Sequence, residues 1–243
     1  MSFNFKSFLQ NHILEVSIFL LSFVLAMVLW NMNELRLEIH KTTAIENASI
    51  YLDAYEALRS AYTTEVVSRV LDKNIIVTHN YKEIVGAIPL PATFSMIWAE
   101  ELGVNGKGVK ARIFSDYPFP WSQSGGPKDK FEETALQELR KNPSDAFYDF
   151  EKKNNAWNLR YARADLMRES CVKCHNSHPQ SPKVDWKIGD VRGVLEVTIP
   201  MNEANFAGIR LMRERILLMI VIGSLGFALI YFTITWAFKS DGR

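Results

Sequence analysis

Cysteine is nearly missing from this chain: two in 243 residues, Cys171 and Cys174. A chain that keeps two thiols and sets both in one pentapeptide has kept them for that place. Excess charge is missing too. Lys+Arg number 28 against 27 Asp+Glu, a net charge of +1, which leaves no electrostatic case for a nucleic-acid partner. Neither half shows charge asymmetry or a low-complexity tract. Glycine and proline are absent from Met1 to Val85, so nothing there punctuates a long helix. Outside the Cys171–His175 segment no acid/base or nucleophile constellation is visible. A length of 243 residues allows one or two domains.

What is present centres on Cys171-Val172-Lys173-Cys174-His175, a C-x-x-C-H pattern of the kind that attaches haem. Thiols three apart on a helix lie on adjacent turns, so each reaches one vinyl group of a porphyrin edge. His175 then presents its imidazole to the iron as proximal ligand. Two other readings compete. Cys171, Cys174, His175 and His178 make a Cys2His2 set for zinc, but adjacent Cys174 and His175 are poorly spaced to close a tetrahedron. A C-x-x-C redox disulfide normally follows a strand at the start of a helix. Here 165–170 reads as helix leading into the motif, which argues against it.

Two apolar runs flank the rest. Ile13–Trp30 is interrupted only by Glu15 and as a helix is roughly 27 Å long, close to a bilayer's hydrocarbon thickness. Small residues for signal cleavage are missing after it (Asn31-Met32-Asn33-Glu34), so an uncleaved anchor is expected. Ile216–Phe238 is uncharged, with Tyr231 and Trp236 suited to an interfacial belt. The expected organisation is a cytoplasmic tail 1–12, transmembrane helix 13–32, a long membrane-proximal helix 33–72 and a domain 73–201. A membrane-proximal helix 202–215, a transmembrane helix 216–238 and a cytoplasmic tail 239–243 complete it. The positive-inside rule points the other way, with Lys6, Lys239 and Arg243 on the tails against Arg36, Lys41, Arg210, Arg213 and Arg215 on the central flanks. Covalent haem attachment in bacteria takes place outside the cytoplasmic membrane. The expected location is therefore the bacterial inner membrane with the haem domain in the periplasm.

Between the runs, apolar residues from Ala44 to Val70 recur at helical spacings. Ile75–His79 and Val109–Ser115 read as strands, and Thr93 as the N-cap of a short helix through Leu102. The loop 116–130 carries three prolines and two glycines. Phe131–Lys141 reads as an amphipathic helix stopped by Asn142-Pro143. Ala146–Glu151 and Trp157–Ala164 form a hairpin, and Val191–Ile199 a closing strand. The pattern predicts an α+β fold: an antiparallel sheet of about five strands with long flanking helices, plus the two transmembrane helices.

The segments IPLPATFSM, FSDYPFPW and LRYARADLMRESCVKCHNSHPQSPKVDWKIGDVRGVLEV closely resemble the Tll-type c-haem domain family. The resemblance covers about 75–200. It implies a PAS-like antiparallel sheet carrying one covalent haem c, in a module often set between membrane spans that feed an output domain. Only five residues follow Phe238 here, so a partner is expected to read any signal. On this reading Cys171 and Cys174 form the thioethers and His175 is proximal. His79 or Met96 is the candidate distal ligand. Arg160, Arg163 and Lys183 are candidates for pairing with propionates, since guanidinium and ammonium groups match carboxylates. Tyr161, Trp186, Trp121 and Trp157 are candidate haem-wall aromatics. The expected function is electron transfer beside a membrane redox complex, with a haem-based redox or gas sensor as the alternative. An enzyme ranks third. The expected partners are lipid and a membrane protein or a second copy.

Overall fold

The computed structural model describes residues 5–105, 108–122, 125–153, 156–201, 214, 216–228 and 231–232. The chain divides into two compact units, one of Met1–Lys41 with Glu203–Arg243 and the other of Thr42–Asn202.

In the second unit a four-stranded antiparallel sheet is built from β3 (Lys110–Phe114), β4 (Ala146–Lys153), β5 (Ala156–Leu166) and β6 (Val191–Pro200), in the order β3-β6-β5-β4. The two-residue strands β1 (Val77–Thr78) and β2 (Ile88–Pro89) pair in parallel as a separate ladder. The helices are α1 (Phe5–Ala61), α2 (Ser68–Val70), α3 (Pro91–Asn105), α4 (Lys130–Lys141) and α5 (Glu169–Ser177). The α+β sheet-and-helix expectation thus matches the observed architecture.

Side chains alternate across a strand, and that period of two assigns each face of the sheet its cover. On one face Leu159, Tyr161, Leu195 and Val197 are buried with Ala99 of α3 and with Ala44, Ala48, Leu52 and Tyr55 of α1. The α1 residues recur every three or four positions, one stripe of a helix. On the other face Ala162, Ala164, Val194 and Phe114 pack with Ala135, Leu136 and Leu139 of α4. Asp129 caps α4, its carboxylate accepting from the Glu132 N–H at 3.0 Å, and Arg140 and Lys141 suit its C-terminal dipole. The compact unit starts at Thr42, well before the expected boundary at 73, because this stretch of α1 supplies core.

After Ala61 the helix widens into a π-turn, Tyr62–Val67. Thr63 Oγ1 donates back to the Arg59 carbonyl at 2.7 Å, and Tyr62 stacks on Phe94 at 4.2 Å and donates to the Pro89 carbonyl. Where β3 and β6 close together the chain needs glycine: a Cβ on Gly193 would sit 2.4 Å from the Phe114 carbonyl oxygen.

Two expectations are corrected. Among the described residues no helix is long and apolar enough to cross a membrane. The run 13–30 is at the short end of the 17–25 residues a span uses, holds Glu15, and passes within α1 into Glu34, Arg36, Glu38 and Lys41. Of the run 216–238, the residues 229–230 and 233–238 lie outside the described residues. The transmembrane part of the expected fold therefore falls. With it goes the inner-membrane location with a periplasmic domain, which had no other support than these spans and the attachment chemistry. Of the expected membrane-proximal helix 202–215 all but residue 214 lies outside the described residues, as do residues 1–4 of the expected tail 1–12 and the whole of the expected tail 239–243.

Candidate haem site

β5 ends at Leu166, and Arg168 is extended (φ −97°, ψ 165°) before α5 begins. Of the expected helix at 165–170, residues 165–166 are strand, 167–168 are irregular and only 169–170 are helix. Asp165 and Leu166 still pair with Gly193 and Val191 across a bulge, and Met167 N–H donates to the Asp190 carbonyl at 2.8 Å. The Cys-x-x-Cys pair thus does follow a strand near the start of a helix, and that argument against a redox pair is lost. What remains against it is His175 and its surroundings. Both thiols are free, Cys171 half-buried and Cys174 exposed. Among the described residues no group of three or more His, Cys, Asp or Glu side chains converges as a bare-ion site.

The segment is held from below. The Asn176 amide accepts from the Trp186 N–H and donates to its carbonyl, both at 2.9 Å, tying the loop after α5 to the helix. Cys171 and His175 are four apart, so they share one face of α5. That face looks into a cavity of about 1690 Å³ within the second unit. Its walls include Met96 and Ile97 of α3, β3 from Lys110 to Phe114, Thr63, Thr64 and Val67 of the π-turn, and Phe119 and Trp121 from the 115–122 loop. Cys171, Cys174 and His175 all line it.

Its charge is lopsided. Arg59, Arg112, Arg168, Arg192, Lys110 and Lys173 line it, against Glu100 and Glu169. Beneath His175 lies a buried cluster. Asp165, 2% exposed, accepts from Arg59 Nη1 at 3.1 Å and from Arg192 Nε at 3.0 Å, with further contacts from Nη2 of each. Burial alone would raise the pKa of this carboxyl, but Arg192 and Arg59 together hold it well below the usual carboxylate range. The two guanidiniums share one carboxylate, so the cluster keeps a net positive charge.

Arg192 Nη1 lies 3.3 Å from His175 Nε2. The imidazole is pulled down to about 4, first by burial and then by the Arg192 charge, while Asp165 opposes. It is therefore neutral at neutral pH, the form in which a histidine binds a metal. In haem-free protein the unfolded chain binds this proton and the folded one does not, so stability is full above pH 6.5 and falls toward pH 4. The span from 6.5 to about 4 corresponds to ~3 kcal/mol. Urea unfolding of the haem-free full chain should show that loss, and His175→Asn should flatten it. A profile unchanged by the substitution would refute it.

The aromatic residues over the site form a continuous contact. Phe119 meets His175 edge-on at 5.2 Å and stacks on Trp121 at 4.4 Å, which stacks on His79 at 4.3 Å. His178 packs against both Phe119 and Trp121 at 5.3 Å. Met96 is therefore on the cavity wall, whereas His79 is exposed behind Trp121 and does not line it.

The other sequence candidates lie elsewhere. Arg160 is on the α4 face, where Nε and Nη2 donate to Glu196 at 2.7 and 3.1 Å and Nη1 to Asp129 at 2.7 Å. Arg163 points to α1, donating to Asp53 at 2.8 Å and Glu56 at 3.1 Å. Lys183 pairs with Asp185 and sits 5.0 Å over Trp186. Trp186 is buried edge-on to Tyr117, Tyr161 is in the core, and Trp157 is exposed. None of these lines the cavity. Among the cations that do line it are Arg59 and Arg192, which meet at Asp165. In the sequence, where the expected strand ends at Ala164, no signal marks them; in the structure Asp165 shares the strand parity of Leu159 and Tyr161, and a carboxylate on a core face needs cationic partners.

A family model, Tll0287-like, matches residues 38–200, about two thirds of the chain. No curated protein matches it at a significant level. The match begins within α1 and ends with β6, so it takes in the α1 stripe that covers the sheet. It suggests a haem-binding, PAS-like domain, in keeping with the cavity and the antiparallel sheet. On this match the chain belongs to the Tll0287-like family.

Proposed function

We propose that the second unit carries one haem c, bound through Cys171 and Cys174 with His175 on the iron, and serves as a one-electron carrier. The observation that carries this reading is that both thiols and a neutral imidazole line one large cavity whose wall is rich in cations. A porphyrin brings two carboxylates and a planar apolar body. Arg59, Arg168 and Arg192 supply cationic partners for the first, and Met96, Ile97, Phe119 and Val67 supply an apolar wall for the second. The bound group supplies reversible one-electron chemistry. Cys171 and Cys174 would hold it, His175 would ligate its iron, and Met96 on the cavity wall is the candidate for a second ligand. A thioether there raises the potential relative to a second histidine. The electron partner in this proposal is another protein or a second copy of the chain.

Denaturation in acidified organic solvent tests attachment. The haem should stay with the polypeptide, Cys171→Ala or Cys174→Ala should leave one thioether, and the double substitution should release all of it. Complete release from the wild-type protein refutes the proposal.

A sensor reading has one observation in its favour, the π-turn in the cavity wall, since such turns gather at functional sites. Carbon monoxide added to ferrous protein separates the two. Rapid binding that shifts the exchange of amides 62–67 supports the sensor, and an unchanged spectrum supports the carrier.

A further inference from the structure

A guanidinium has five N–H donors and no acceptor, and it stays charged throughout the accessible pH range. Its contact with an imidazole nitrogen therefore has one polarity. At 3.3 Å from Arg192 Nη1, Nε2 of His175 accepts, and the proton of the neutral ring sits on Nδ1. Only this tautomer leaves a lone pair on Nε2; the other caps it with hydrogen. Arg192 is oriented from behind. Its Nε and Nη2 are both bound to Asp165, and that buried carboxylate is gripped from its far side by Arg59. The clamp therefore runs from α1 through β5 to β6 and ends on the imidazole.

We infer that Arg192 is a positioning residue, a charged stand-in that holds Nε2 of His175 as an open acceptor in the cavity until iron takes its place. This rests on the reading of His175 as the iron ligand. Asp165 and Arg59 act one step back, by fixing where the guanidinium points. A hydrogen bond from a charged donor is strong enough to bias the two tautomers by on the order of tenfold.

Nitrogen NMR of the haem-free full chain, labelled at histidine and held where the ring is neutral, reads the tautomer directly. The wild-type protein should show His175 with its proton on Nδ1. Arg192→Met should give a mixture of both tautomers, and Arg192→Lys, which keeps a cationic donor near Asp165, should restore most of the bias. Haem attachment followed in parallel should slow several-fold in Arg192→Met and recover in Arg192→Lys. A wild-type ring protonated at Nε2 overturns the inference, and this holds even if the methionine variant fails to fold. A folded Arg192→Met chain with the tautomer unchanged overturns it as well. If the tautomers shift as expected but the wild-type chain never attaches haem, the stand-in role falls together with the haem reading, and Arg192 only orients the ring. If haem attaches normally in every variant, the haem reading stands and the positioning role falls.

Discussion

Asp165→Ala should cost the fold roughly 3–5 kcal/mol, as breaking a buried ion pair from one side does. In a chain of this size that is a fall in melting temperature on the order of 10 °C. The carboxylate is 2% exposed and Arg59 7%, so the substitution leaves a guanidinium in the core with no counter-charge. Thermal and urea unfolding of the full chain measure the effect; a change below about 1 kcal/mol would show that water or another acceptor replaces the carboxylate. The acid profile gives a second reading of the same group. Its folded pKa lies below the ordinary 3.8, so its stabilisation is complete above pH 3.8 and is lost as the pH falls further. This window lies below the one assigned to His175, so the wild-type protein should lose stability in two stages. Asp165→Ala should abolish the lower stage and leave the upper.

Arg160→Met should be about as costly, again roughly 3–5 kcal/mol, yet leave haem attachment and the haem spectrum unchanged. Arg160 bridges Glu196 and Asp129, packs 4.2 Å over the Phe131 ring, and lies near Glu132. Glu196 is 4% exposed, and burial already raises its pKa with Arg160 in place. Without the guanidinium a buried carboxylate remains under α4 with the Thr198 hydroxyl as donor but without its charged partner. Adding Glu196→Leu to Arg160→Met should recover a substantial part of the loss, because removing both partners spares the unpaired charge. An altered haem spectrum in Arg160→Met would place this residue functionally on the cavity side, against its position in the sheet.

The contrast between these two residues also shows how far the sequence could be read. Local signals transferred well. The amphipathic helix α4 carries its stop at Asn142-Pro143, and its start missed by one residue only because Asp129 caps Lys130 rather than Phe131. The β4–β5 hairpin and the closing strand β6 were visible in their alternation. The thiol and imidazole motif was visible as residues in a row. Helix starts set by non-local pairing were not. The 165–170 stretch has helical composition, but Asp165 is drawn into β5 by Arg59, 106 residues away, and by Arg192. Proline at position 91 opens α3, two residues before the expected Thr93 cap, since its fixed φ suits a first helical position.

Arg160 and Arg163, three residues apart on a strand, project from opposite faces, and neither position leads into the cavity. The two wall cations that hold Asp165 come instead from α1 and β6. No pattern within one segment joins residues so distant in the chain. A family resemblance centred on the motif also understated the domain, since it left out the α1 stripe that the family model includes.

The strict alternation of β5 bears on how the chain reaches this structure at all. Arg160, Ala162 and Ala164 belong under α4, while Leu159, Tyr161 and Asp165 belong under α1. A one-residue slip of β5 against its neighbours would exchange the two sets together. Arg160 would move to the α1 face, away from Glu196 and Asp129, and Asp165 to the α4 face, away from Arg59 and Arg192. Misregistered forms would thus carry buried, unmatched charges on both sides of the sheet at once. The ion clusters that flank β5 act as a check on strand register during folding, rejecting near-native alternatives that hydrophobic pairing alone would tolerate.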